Sequence, residues 1–229
     1  MSSAPRIDVY GRVHRGLRKA LFDLAYLAGR TDWMDNDEVT EIENAARGVM
    51  RFLRHHGHNE DMYSLPVLIA KKPGLVIEDS AEHQKIEKEI DTLEEMLDGI
   101  RSIGSMTVRR TRGERYYHQL LLFISDYLRH MHQEETVTTA LFHEHCTDEE
   151  IAEGTRRILA NTPPADMGYS LAFMIPAIDK RDRLELFEMM RPVAPPPAFA
   201  AACAIAERTL DADEWSTLHT ALAPSEILA

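Results

Sequence analysis

Two stretches decide how this chain is read: Arg54-His55-His56-Gly57-His58-Asn59-Glu60 and Leu128-Arg129-His130-Met131-His132-Gln133-Glu134. Each carries a histidine followed four residues later by a glutamate, His56-x-x-x-Glu60 and His130-x-x-x-Glu134. Four residues is about one helical turn, so in a helix both side chains project from one face. A single pair of this kind is common on a helix surface. Two pairs on separate helices call for a shared purpose.

The surrounding sequence predicts those helices. Apolar residues recur at helical spacing in four long segments. The first runs from about Ile7 to Ala28 and stops at Gly29. The second runs from about Asn36 to Lys71, with Asp32 to Asp37 offering caps, Pro66 bending it late and Pro73-Gly74 ending it. The third starts with Ser80 as its cap and reaches Gly104. A basic loop, Thr107 to Gly113, precedes the fourth, which continues to His145. Short connections make neighbours antiparallel, which predicts an all-α, up-down-up-down four-helix bundle over residues 1–146. Residues 147–229 form an accessory helical region. Thr147 with Glu150 is a capping box opening its first helix, which Pro163-Pro164 ends. Pieces follow at about 165–175, 180–190, 198–208 and 212–221, and their apolar faces are expected to dock on the bundle or on a protein partner. No stretch alternates as a strand would, and no internal repeat is visible.

His14 and His83 complete the constellation. Both fall on apolar helix faces near the starts of segments one and three. In an up-down-up-down bundle these starts lie at the same end as the later halves of segments two and four. His14, His56, Glu60, His83, His130 and Glu134 are therefore expected at one level of the core. Burying two ionised carboxylates costs several kcal/mol each unless something offsets it. Metal coordination does, and six mixed N/O ligands favour iron or manganese over a closed tetrahedral zinc site. His55, His58, His118 and His132 turn away from this face and read as surface residues. Glu87, one turn after His83, reads as a solvated carboxylate. Tyr10, Tyr63 and Tyr127 fall on ligand-side faces.

With these residues in order, the chain resembles the hemerythrin-like, or HHE cation-binding, family. The resemblance rests on His14 in VHRGLRKAL, His56 and Glu60 in RHHGHNEDMYSLPVL, His83 in EHQKIEKEI, and His130 and Glu134 in LRHMHQEETVTTALF, and it spans about residues 7–146. It implies two non-haem iron ions, oxo- or hydroxo-bridged, and a protein that binds or reacts with O2 or peroxide. The alternative it implies is an iron- or oxygen-sensing or storage module without turnover. Oxygen carriers of the family use HxxxH on the third helix and HxxxxD on the fourth. Here the third helix has His83-x-x-x-Glu87 and the fourth has HxxxE. That shifts the expectation away from pure oxygen carriage and leaves open whether the protein is an enzyme, with no catalytic residue assigned.

Composition bounds the rest. The chain has 229 residues, 44% hydrophobic and 28% charged, with a net charge of −12. An acidic chain repels phosphate backbones, which disfavours nucleic acid. The two cysteines, Cys146 and Cys203, exclude a disulfide framework and fit a reducing cytoplasm. No apolar run is long enough to span a membrane, and no apolar segment follows the N-terminus as in a secretory signal.

Overall fold

A computed structural model describes residues 6–73 and 79–223. Among these residues all regular structure is helical, as the periodicity predicts. The chain divides into two compact units, residues 1–11 with 20–161, and residues 12–19 with 162–229.

In the first unit, α1 (Gly11–Arg30) begins four residues later than expected. The Asp8 carboxylate explains the delay: it accepts from the backbone N–H of Tyr10 (3.2 Å) and Gly11 (2.8 Å), holding the chain outside the helix until that point. Asp35 caps α2 (Asn36–Asn59) by accepting from the N–H groups of Asp37 and Glu38. The second predicted segment is interrupted. After α2 comes a π-helical turn, Glu60–Ser64, and then α3 (Leu65–Lys71), with Pro66 in its first turn where a missing N–H costs least. Lys71 closes α3 two residues before Pro73; Gly74 lies outside the described residues.

Helix α4 (Asp79–Leu97) starts one residue ahead of Ser80. Ser80 does not stand outside the helix as a cap; its Oγ donates to Asp61 Oδ1 at 2.7 Å. Helix α5 (Met106–Gln133) absorbs the stretch expected as a basic loop. The Ser105 side chain caps it at Val108 N–H, and nothing from Thr107 to Arg112 breaks a helix. Arg109 is buried on its first turns, while Arg110, Arg112 and Arg115 are exposed. A second π-helical turn, Glu134–Thr138, separates α5 from α6 (Thr139–His145). Helices α2 and α4 pack together, as do α4 and α5. The buried set includes Ile42, Met50 and Leu53 of α2, Ile90 and Leu93 of α4, and Leu120, Phe123 and Tyr127 of α5.

The capping box opens α7 (Asp148–Asn161): Thr147 N–H donates to Glu150 Oε2 at 2.9 Å and Glu150 N–H to Thr147 Oγ1 at 3.3 Å. Arg6 ties the N-terminal segment to this corner, donating to the carbonyls of His143 (2.8 Å) and Cys146 (2.7 Å) and to Asp148. A cation there satisfies the open carbonyls at the end of α6.

The second unit contains α8 (Pro164–Met174), α9 (Lys180–Met190), α10 (Pro196–Thr209) and α11 (Ala212–Leu222). They close around their own core of Leu171, Ile175, Phe187, Ala202, Ile205, Ala206, Leu210, Leu218 and Leu222. Buried Arg183 crosses it, donating to Ile178 O at 2.9 Å and to Glu214 at 2.6 Å. Residues 12–19 of α1 belong to this unit through Arg12–Glu185 (3.0 Å) and Arg15–Asp182 ion pairs. Gly16 lets the helices approach: a Cβ there would lie 3.2 Å from Met174 Cα.

Candidate metal centre

The six predicted residues come from four helices. His14 is on α1, His56 on α2 with Glu60 at the junction of its π turn, His83 on α4, and His130 on α5 with Glu134 at the matching junction. All are buried, none more than 9% exposed. Two groups of ligand atoms form, each within 4.8 Å: His14, His56, Glu60 and Glu134; and Glu60, His83, His130 and Glu134. Both carboxylates belong to both groups.

The two π turns share their construction. Each opens at the glutamate of an HxxxE pair. The glutamate carbonyl accepts from the N–H five residues on, Leu65 to Glu60 and Thr139 to Glu134. Thr139 adds its hydroxyl to the same Glu134 carbonyl at 2.9 Å. A π turn inserts one residue into a helix and is common at functional positions. Here each one starts at the glutamate of an HxxxE pair.

Contacts inside the site are short. Glu60 Oε1 lies 3.2 Å from His56 Nε2, and Glu60 Oε2 lies 3.2 Å from His83 Nε2. Glu134 Oε1 lies 3.1 Å from His130 Nε2 and 3.5 Å from His83 Nε2. The His83 and His130 rings meet edge to face at 5.0 Å. Yet Glu60 Oε1 and Oε2, His83 Nε2 and His130 Nε2 make no hydrogen bond, although each is sealed from solvent. Buried polar atoms are rarely left so. Lone pairs converging on a common point without hydrogen-bond alignment are what a cation requires, and the donor set of imidazole nitrogen and carboxylate oxygen fits one.

Electrostatics agree with this reading. Burial and the Glu134 charge push Glu60 well above the usual carboxylate range, partly opposed by His83. Burial alone would lower His83, but Glu134, Glu60 and Asp61 outweigh it and raise it to about 11. His130 is raised the same way against its burial, by Glu134 and Glu82. Without a cation, the cluster holds protons in its place.

The structure also brings in residues that pattern reading missed. His83 Nδ1 lies 3.0 Å from Asp61 Oδ1, and His130 Nδ1 lies 2.8 Å from Glu82 Oε2. Spacing could not reveal them, since each reaches a histidine on a different helix. Glu87 stays outside both groups and pairs instead with Arg54 at 2.8 Å. His58, His118 and His132 are exposed and His55 half-buried, as expected of surface positions. Of the three tyrosines, Tyr10 and Tyr127 are buried and Tyr63 is half-buried. The Tyr127 ring lies 5.6 Å from His130. Burial and the Glu134 and Glu60 charges hold its phenol well above its usual range, so it keeps its proton. A cavity of about 400 Å³ includes Gly57, Asp61, His83 and Tyr127 in its lining.

Buried histidine–carboxylate groups carried on helices define a class, the helical cation-binding proteins. The model of the hemerythrin HHE cation-binding domain family matches residues 6–142, more than half of the chain, and the chain belongs to that family. No curated protein matches it. No helix among the described residues is long and apolar enough to cross a membrane.

Proposed function

We propose that this is a hemerythrin-like non-haem diiron protein that binds two irons and binds or reacts with O2 or peroxide. The observation that carries the reading is the sharing of Glu60 and Glu134 between two four-residue groups. Glu60 turns one oxygen to His56 and the other to His83, so it would help to hold both irons. His14 and His56 would cap one iron, His83 and His130 the other. Iron held there would supply a redox-active centre with coordination positions to spare for a small ligand. The chain's own residues supply orientation and exclusion. Tyr127 offers a protonated phenol beside His130 and the two carboxylates. The nearby cavity has room for a small molecule, and Arg54 on its wall is tied down by Glu87, Asp91 and Glu94. Peroxide turnover by the iron-loaded protein, compared with reversible spectral change on adding and removing O2, tests the proposal. Neither response from protein holding two irons would overturn it.

A second reading is an iron- or oxygen-sensing or storage module without turnover. The observation that favours it is the drawing of the buried groups from four helices, so that metal loss would leave polar groups without a cation in all of them. In that reading the C-terminal helices relay the state of the site to a protein partner.

A further inference from the structure

Resting on that diiron reading, we propose that Asp61 and Glu82 are positioning residues for one metal of the pair, the one held by Glu60, His83, His130 and Glu134. Neither belongs to the group of ligand atoms, and both sit one residue from a member of it. Asp61 follows Glu60 and accepts from His83 Nδ1 at 3.0 Å. Glu82 precedes His83 and accepts from His130 Nδ1 at 2.8 Å. The result is a chain of contacts from the π turn after α2, through α4, to α5: the π turn and α4 each carry a group of the site and a carboxylate that steadies the histidine of the next element. Ser80 extends it by donating to the same Asp61 oxygen at 2.7 Å.

The chemistry follows from what a carboxylate can do. It accepts, so Nδ1 of each histidine carries the proton and Nε2 offers its lone pair. Nε2 is the atom of His83 that faces Glu60 Oε2 and Glu134 Oε1, and the atom of His130 that faces Glu134 Oε1. The contact therefore selects the nitrogen, fixes the ring plane and raises the basicity of the ligand. Asp61 and Glu82 each touch a histidine of one group only, so their loss strikes one metal.

The test uses the full chain and its Asp61→Ala, Glu82→Ala, Asp61→Asn and Glu82→Gln variants. Anaerobic titration with ferrous iron reads the number and affinity of binding events. Nitrogen-15 NMR of the zinc-loaded wild-type protein, which is diamagnetic, reads which imidazole nitrogen holds the metal. The wild-type chain should show metal on Nε2 and a proton on Nδ1 of His83 and His130. Each alanine variant should keep one iron at wild-type affinity and bind the other about 10- to 100-fold more weakly. The amide variants keep an acceptor oxygen and should recover most of that loss. Equal weakening of both irons, or of neither, overturns the proposal. So does metal on Nδ1 of His83 in the wild-type chain, a result that stands even if an alanine variant fails to fold. A wild-type chain that binds fewer than two irons counts instead against the diiron reading itself.

Discussion

Glu60 faces two histidines with its two oxygens, and neither oxygen makes a hydrogen bond that would stabilise its charge. An isolated buried carboxylate costs several kcal/mol even after relaxation, and a second, Glu134, stands beside it. In the metal-free protein, protons meet that cost. A histidine whose pKa folding has raised stabilises the fold below its ordinary value of 6.5, and that contribution is lost as pH rises through about 11. At pH 7, then, metal-free His83 carries a proton that a metal must displace. Loading with ferrous iron should release protons, and apparent affinity should rise with pH. Calorimetry in buffers of different ionisation enthalpy measures the release, and metal uptake with no net proton release would contradict this account. The proposed ligands were legible as a cluster because a turn of helix puts His56 and Glu60, or His130 and Glu134, on one face. Asp61 and Glu82 were not, because sequence neighbours of a ligand point elsewhere on their own helix and find their partners only once α2, α4 and α5 pack.

Among the elements, the π turns are the feature that periodicity hides. One extra residue after Glu60 or Glu134 shifts the helical phase once, by about 100°, but the spacing on either side is still helical, so each stretch reads as a continuous helix, the first with a bend at Pro66. In the second turn no proline is present, and the run Thr136-Val137-Thr138-Thr139 is β-branched throughout, which lowers its preference for a regular α-helix. The start of α5 was hidden differently: the arginine-rich stretch Thr107 to Gly113 looks like a loop, yet Ser105 caps it into a helix. Gly113 in that helix is a packing requirement. A Cβ there would stand 2.0 Å from the Trp33 ring, which packs edge-on against Tyr116 at 5.9 Å. Alanine would gain up to about 1 kcal/mol of helix propensity but overpack a filled site at a cost of about 1–3 kcal/mol, and overpacking wins. Gly113→Ala should lower the melting temperature by a few degrees; an unchanged or higher melting temperature would show that Trp33 yields freely.

At the scale of the molecule, each compact unit has a core, and the apolar faces of α8 to α11 that the sequence left in need of a partner find one in each other. The prolines marked where these helices end; which of them share a core depended on chain reversals that no local pattern encodes. A cation held as proposed would couple its binding to the folding of the first unit, since α2, α4 and α5 each offer a group to the site. A cation that binds only the folded state adds about 4 kcal/mol when present at a thousand times its dissociation constant. For a unit of this size that is about 10 °C in melting temperature. Metal-free protein should melt lower by roughly this amount, and its amide hydrogens around 56–60 and 130–134 should exchange faster. Matching profiles with and without iron would remove the sensing reading. Sharing of Glu60 and Glu134 between two irons is measured by the iron content of the purified full chain beside its Glu60→Ala and Glu134→Ala variants. Shared carboxylates predict about two irons per chain, with either variant losing affinity for both. Two irons retained in both variants, or a single tetrahedral zinc on other residues, would contradict it.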